Sequence, residues 1–264
     1  MQNVRWDASD YEKHSTNQQA WGRELIEKLN LRGDEILLDI GCGDGKVTAE
    51  IAARLPNGRV TGVDLSAEMI DLASRRYPEG DFPNLSFEQA DASHLPYSAQ
   101  FTRVFSNATL HWICDHHPVL AGIQRSLKPG GKILLQMGGR GNAAEIIACV
   151  DRLIQLPEWA GYFGDFVSPY GFHSPEDYTV WLREAGLEPV RVELIPKDMV
   201  HPDHDTLAGW IRTTWMPYTL RVPAGQRDAF IEQIIAEYRA GHPADADGAL
   251  TVKMARLEVE AIRP

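Results

Sequence analysis

The chain has 264 residues, 44% hydrophobic and 24% charged, which excludes a disordered or fibrous polypeptide and provides apolar material for a sizeable core. Its formal net charge is −11, and no run of Lys or Arg is long enough to track a phosphate backbone, so nucleic acid is not an expected partner. Residues 1–14 mix charges with few apolar side chains, unlike a signal peptide or a membrane span, and Cys42, Cys114 and Cys149 are spaced for neither a metal site nor a disulfide framework; a cytoplasmic protein with reduced thiols, monomeric or homodimeric, is expected.

Residues 17–30 place Trp21, Leu25, Ile26 and Leu29 on one face at helical spacing, which predicts an amphipathic N-terminal helix ending at the turn Leu31-Arg32-Gly33-Asp34. The apolar run at residues 35–40 ends in Gly41-Cys42-Gly43-Asp44-Gly45, after which Val47, Ile51 and Leu55 recur at helical spacing: strand, glycine turn, helix. Residues 59–64 read as a second strand ending in a carboxylate, and Ser66 caps a helix through Met69, Ile70 and Ala73. Further strands are predicted at residues 85–89, ending near Asp91, at 101–106 and at 132–137. A helix at residues 119–127 and the turn Lys128-Pro129-Gly130-Gly131 precede the last of these. Strands alternating with helices imply a parallel sheet covered on both faces.

Past Gly141 the pattern changes to a helix at residues 143–155 and an aromatic loop with Trp159, Tyr162, Phe163, Phe166 and Tyr170. Ser174-Pro175-Glu176-Asp177 combines an N-cap, a proline at the first helical position and an acid at the third, and Gly186 stands where a C-cap belongs. Residues 190–195 and 252–262 have strand composition, with helices expected at 207–215 and 227–239 between them.

Three glycines where a strand turns into a helix let the backbone bend tightly and let a nucleotide-type ligand approach without meeting a Cβ. Asp64, ending the second strand, suits ribose hydroxyls of either a nicotinamide dinucleotide or S-adenosyl-L-methionine. The dinucleotide fingerprint requires glycine at the Lys46 position, whereas the third glycine here is Gly45, one residue early. Asp39, just ahead of the glycines, suits an ammonium group and repels a pyrophosphate. S-adenosyl-L-methionine is therefore favoured, with S-adenosyl-L-homocysteine as product. An NAD-dependent oxidoreductase and a non-catalytic adenosylmethionine-binding protein are the rival readings.

Leu38-Asp39-Ile40-Gly41-Cys42-Gly43-Asp44-Gly45 resembles the first signature of the class I S-adenosylmethionine-dependent methyltransferases. Gly62-Val63-Asp64-Leu65-Ser66 with Met69, the Asp91-Ala92 pair, Ser106-Asn107 and Leu127-Lys128-Pro129-Gly130-Gly131 resemble its successors, so the likeness spans about residues 31–140. The resemblance implies an α/β, Rossmann-like seven-stranded sheet, mostly parallel with an antiparallel edge strand, carrying helical cap insertions. It also implies site roles: Asp39, Gly41 and Gly43 against the methionine part, Asp64 on the ribose with Leu65 and Met69 beside it, Asp91 and Ala92 at the adenine, and Asn107 on the floor. Met69 also reads as core, Asp91 as a turn cap before His94, and Asn107 as a turn residue.

Phe105-Ser106-Asn107-Ala108-Thr109-Leu110-His111-Trp112, followed by Asp115-His116, is similar to the trans-aconitate methyltransferase group, as are Trp6-Asp7 with Tyr11, Trp21-Gly22 and Arg256-Leu257-Glu258-Val259-Glu260. That group commonly methylates small-molecule carboxylates, which are ionised at neutral pH and need no base. This sequence departs from it at His111, where those enzymes tend to have glutamine. His111 is a candidate base if the acceptor is instead a hydroxyl, amine or carbon acid, and otherwise a packed histidine.

Arg140 and Arg212 are candidates to hold an anionic acceptor, with Tyr11, Trp112, Tyr170 and Trp210 as further acceptor-site candidates; aromatic residues at helical spacing also read as ordinary core. No metal is expected, since neither His116-His117 nor the histidines at 201 and 204 complete a ligand set. The expected organisation is an N-terminal helical segment (1–30) covering the cofactor site, a cofactor-binding core (31–140), and a C-terminal part (141–264). That last part would hold strands at about 188–195 and 252–262 and a substrate cap at about 141–172 and 197–250.

Overall fold

Short apolar strands flanked by amphipathic helices bury best as a parallel sheet layered between helices. In the computed structural model, which describes residues 16–264, the strands are β1 (Ile36–Ile40), β2 (Arg59–Asp64), β3 (Leu85–Gln89), β4 (Phe101–Asn107), β5 (Leu127–Gly138), β6 (Glu188–Pro196), β7 (Met199–His201), β8 (Leu250–Val252) and β9 (Ala255–Ile262). The helices are α1 (Thr16–Lys28), α2 (Lys46–Ala52), α3 (Ala67–Arg76), α4 (His117–Ser126), α5 (Ala144–Leu153), α6 (Pro175–Glu184), α7 (His204–Thr214), α8 (Met216–Thr219) and α9 (Arg227–Gly241). They fall into two compact units, one built from Gln18–Arg140, Tyr170–Ile195 and Arg256–Pro264, the other from Gly141–Pro169 and Pro196–Ala255.

The first unit holds a seven-stranded sheet in the order β3-β2-β1-β4-β5-β9-β6. β1 is parallel to β2 and β4, β2 to β3, and β4 to β5, whereas β9 runs antiparallel to β5 with Leu135 opposite Val259. The antiparallel strand expected at this edge is thus β9, with β6 outermost beyond it. Alternation along each strand splits the core between the two faces. Leu38, Val104, Leu135 and Leu257 join α4 and α6 residues such as Leu120 and Tyr178, while Leu37, Phe105 and Leu134 pack with Leu25 and Ile26 of α1. The predicted caps are present: the Ser66 hydroxyl accepts from the Met69 amide, and the Ser174 hydroxyl accepts from Asp177 ahead of Pro175.

Among the charged groups buried in this unit, Glu258 is the most enclosed. Glu258 of β9 is fully buried and accepts from Lys28 Nζ (3.0 Å), from Gln136 Nε2 (2.8 Å) and from Arg191 of β6. Burial alone would raise its pKa, but these partners outweigh that effect and hold the carboxylate below its ordinary range. The cluster ties the last turn of α1 to three neighbouring strands.

In the second unit, α9 packs against α5 and α7. The aromatic loop is anchored there: Trp159 is buried edge-on to Phe230 (5.0 Å) and donates from Nε1 to Gln233 Oε1 (2.7 Å), and Phe166 lies 4.5 Å from Tyr218. Trp210 is buried between Trp215 (5.6 Å) and His201 (5.3 Å). These aromatic side chains are therefore core of the helical unit.

Two details differ from expectation. The strand expected over residues 252–262 breaks after Val252, and β8 pairs with β7 in a separate two-stranded antiparallel sheet, Val200 opposite Thr251, inside a stretch expected to be helical. Three-residue strands carry too little alternation to register as such. Second, Lys128-Pro129-Gly130-Gly131 does not precede β5 but bulges within it: Leu127 pairs with Phe101 while Lys132 already pairs with Arg103. Among the described residues no helix is long and apolar enough to cross a membrane.

Glu258→Ala leaves Lys28 and Arg191 without their shared buried carboxylate and should lower the unfolding free energy by about 3–5 kcal/mol, read from urea denaturation. A loss below about 1 kcal/mol would show that water replaces the carboxylate.

Candidate functional site

The glycine turn is held from β2: the Gly41 and Cys42 amides both donate to the Val63 carbonyl, at 2.7 and 3.0 Å. Gly41 has φ +77°, and a Cβ on it would stand 2.1 Å from Thr109 Oγ1, which itself donates to the Gly41 carbonyl at 3.2 Å. Only glycine allows that approach between the turn and the loop after β4. Gly43 is the reverse case. At φ +53° nothing among the described residues lies within 4 Å of where a Cβ would stand, so towards them its backbone presents an open surface.

Asp64 closes the turn from the end of β2, its Oδ2 accepting from the Gly43 amide (3.0 Å) and its Oδ1 from the Ser66 amide (2.9 Å). Each oxygen keeps a lone pair for a further donor such as a ribose hydroxyl. Burial raises its pKa, against the Ser66, Gly43 and Leu65 amides. Leu65, next in the chain, is 47% exposed, an apolar side chain left in the open at the carboxyl end of a strand. On the outer side of the turn, Asp44 is paired with Arg76 (2.6 Å) and Lys46 (3.2 Å).

Asp39 in β1 is 2% exposed, and its Oδ2 accepts from Thr48 Oγ1 at 2.7 Å. Burial raises its pKa to about 7, an effect that the Thr48 bond only partly offsets and the Asp64 charge reinforces. Sequence reasoning passed over Thr48; its signal is a hydroxyl among small apolar residues in the first turn of α2. A cation placed beside Asp39 and Asp64 would relieve their mutual repulsion, and S-adenosylmethionine carries an ammonium. The open backbone at Gly43, the lone pairs left on Asp64 and this buried acid fit that cofactor.

At the end of β3, Asp91 caps a short 3-10 turn that begins at Ala92, accepting from the Ser93 amide at 2.8 Å, with His94 Nδ1 3.2 Å away. Burial would raise its pKa, but Ser93 and His94 outweigh it and the carboxyl lies below its ordinary range. Met69 is buried in α3. The Asn107 amide nitrogen ends β4 within 3.2 Å of where a Cβ on Gly22 would stand, so α1 comes close to the turn.

His111 lies in the 3-10 turn after β4, 8% exposed, in a stack with Phe172 (6.0 Å) and Tyr170 (6.5 Å), and Trp112 is 5.0 Å from Tyr170. Its Nδ1 accepts from the Gly138 amide at 3.4 Å, which leaves the proton on Nε2. Burial first, then the charges of Arg256 and His116, lower its pKa to about 3. The ring is therefore neutral and weakly basic. Its neighbour His116 is structural: Nε2 donates to the Leu110 and Ile113 carbonyls (both 2.9 Å), and Nδ1 accepts from the Tyr178 hydroxyl (3.0 Å).

The remaining candidates are dispersed. Arg140 is exposed and bound to Asp177 at 2.9 Å. Arg212 is an exposed residue of α7 and Trp210 is core, both in the helical unit. Tyr11 lies outside the described residues. Sequence reasoning also passed over Arg256, quoted only within a strand motif; it is 4% exposed with its guanidinium carbon 4.6 Å from the Trp21 ring centre. The signal is a lone cation on the alternating polar face Arg256, Glu258, Glu260 of a strand buried on both sides.

Glycine turn, strand-end carboxylates and sheet order define a nucleotide-type site in a Rossmann-like methyltransferase fold. Residues 37–131 match the family described as Methyltransferase domain. The chain is 33% identical over 196 residues to an uncharacterized methyltransferase of Schizosaccharomyces pombe, covering 73% of this chain and 74% of that protein. It is 31% identical over 256 residues to a trans-aconitate 2-methyltransferase of Streptomyces coelicolor, covering 92% and 82%. A methyltransferase structure from Bacillus halodurans shares the fold with a TM-score of 0.65 at 18% identity, covering 93% of this chain and 99% of that one. The chain belongs to the class I S-adenosylmethionine-dependent methyltransferases, within the group that resembles the trans-aconitate enzymes.

Folded without ligand, the protein holds a proton on Asp39 up to about pH 7 that the unfolded chain releases near pH 4. Stability contributed by this group therefore falls as pH rises between those values. An ammonium favours the ionised form, so cofactor affinity measured by calorimetry should strengthen from about pH 5.5 to about 7, with proton release. Asp39→Asn should raise the melting temperature of the ligand-free protein, weaken the cofactor roughly 10- to 100-fold and flatten the pH profile. Unchanged affinity in this variant would remove Asp39 from the cofactor site.

Proposed function

We propose that this methyltransferase acts on a carboxylate oxygen of a small acid. The supporting observation is His111: buried, stacked, bound through Nδ1 to the Gly138 amide and held near pKa 3, it is a poor base at the position where an acceptor with a dissociable proton would need one. An ionised carboxylate needs none. The likeness to the trans-aconitate 2-methyltransferase of Streptomyces coelicolor supports the same acceptor class.

S-adenosylmethionine supplies an electrophilic methyl on a sulfonium, so the carboxylate oxygen gains an O–C bond as the S–C bond breaks onto sulfur, and no proton moves. Asp39, Gly41 and Gly43 would take the methionine end, Asp64 with Leu65 and Met69 the ribose side, Asp91 and Ala92 the adenine, and Asn107 the floor. Trp112 and Tyr170 would line the acceptor side with desolvating aromatic surface. Arg140, Arg212 and Tyr11 stay as candidates for acceptor recognition.

Methyl-labelled cofactor incubated with trans-aconitate, and separately with a metabolite extract, should give a labelled product that mild alkali converts to methanol, as an ester requires. At saturating cofactor kcat should be flat from about pH 6 to about 9, because the acceptor is ionised throughout. Alkali-stable label would point to an ether, amine or carbon-methyl product and refute the carboxylate. Asp64→Ala should weaken the cofactor at least tenfold by calorimetry.

A further inference from the structure

Backbone pairing between β1 and β4 ends at Asp39 opposite Phe105, short of the carboxyl ends of both strands. Side-chain hydroxyls carry the contact from there. Ser106 Oγ, fully buried, donates to the Ile40 carbonyl at 2.7 Å. Farther out, Thr109 Oγ1 stands 3.2 Å from both the Gly41 and the Asn107 carbonyls, so one hydrogen is shared between the glycine turn after β1 and the end of β4. The backbone ties each side elsewhere: the Gly41 and Cys42 amides donate to Val63 of β2, and the Ala108 amide donates to the Gln136 carbonyl of β5 at 2.8 Å. Ala108 takes φ +57°, a left-handed conformation that a residue with a Cβ adopts at an energetic cost and that holds only where its surroundings fix it. The corner delivers Thr109 to Gly41 so closely that a Cβ there would meet three Thr109 atoms at 2.1, 2.2 and 2.5 Å. Thr109 also begins the 3-10 turn Leu110–Trp112, its carbonyl accepting from the Trp112 amide at 3.0 Å.

We infer that Thr109 is a positioning residue for methyl transfer, its hydroxyl setting the separation between the glycine turn, where the donor would lie, and the turn carrying His111 and Trp112, where the acceptor would lie. The inference rests on the cofactor and acceptor placement proposed above. In-line displacement needs the attacking oxygen and the sulfonium methyl held about 3–3.5 Å apart, and a misplacement of about 1 Å costs on the order of 100-fold in rate. The proposed donor and acceptor contacts lie on separate sides, so losing the hydroxyl would leave each side able to bind its own ligand while their mutual spacing relaxes. Rate would fall and affinity would not.

Full-length wild type, Thr109→Val, which keeps the shape and removes the donor, and Thr109→Ser, which keeps the donor, are compared at saturating S-adenosylmethionine and trans-aconitate. Thr109→Val should slow single-turnover methyl transfer roughly 10- to 100-fold, with the trans-aconitate KM and the calorimetric Kd for S-adenosylmethionine within about threefold of wild type. Thr109→Ser should restore the rate to within about threefold. Hydrogen exchange gives a readout independent of the acceptor: S-adenosylhomocysteine should slow exchange of the amides of residues 110–113 in wild type and Thr109→Ser but not in Thr109→Val. Thr109→Ala takes the place of the valine variant should that one fail to fold. A wild-type rate in Thr109→Val, a cofactor Kd that weakens as much as the rate falls, or protection of residues 110–113 that is the same in Thr109→Val as in wild type would overturn the positioning role. If wild type transfers no methyl to trans-aconitate, that acceptor falls and the exchange comparison alone decides Thr109. If wild type binds no S-adenosylmethionine, both fall.

Discussion

The site depends on a reversal of strand order. From β1 the chain steps outward to β2 and β3, then returns to lay β4 against the other side of β1. In sheets of this topology crossovers on the two sides of the switch point leave in opposite directions, which is the arrangement that opens a crevice at the carboxyl ends of the strands. Everything with chemistry in this unit is arranged around that gap: the glycine turn leaves β1, Asp64 ends β2, Asp91 follows β3, and Asn107 with His111 follows β4. The Thr109 contact with Gly41 spans the gap and sets how closely its two sides meet.

Buried polar groups then differ in how fully their surroundings compensate them. Glu258 and His116 have all-protein partners matched to their donors and acceptors, which is how interior polar groups become structural. Asp39 is as deeply buried, yet the hydrogen bond from Thr48 only partly offsets that burial and its pKa is lifted to about 7. The same physical setting, a charge removed from water, is compensated for Glu258 and left costly for Asp39.

The Rossmann-like core was legible from sequence because each strand ends in a distinct chemical signal: Gly41 to Gly45, Asp64, Asp91 and Asn107. Those signals are local, and so is the cap chemistry at Ser66 and Ser174. The acceptor side was less legible because it is built from contacts distant in sequence. Arg140 stands at the expected strand end but is engaged by Asp177, thirty-seven positions on, and His111 is neutralised by a stack reaching to Tyr170 and Phe172. Trp210 has the spacing of a lid residue and the surroundings of a core residue; spacing cannot tell these apart, because both bury one helix face. Arg256 lay hidden in a strand motif, since alternation shows which face a side chain takes but not what lies on that face.

The buried acid in β1 also bears on how much of the protein a cell maintains. A folded state that carries an unfavourable carboxylate when empty gives up part of its stability, and regains it when a cation arrives. If the ammonium of the methyl donor is that cation, folded stability would rise with donor supply by mass action.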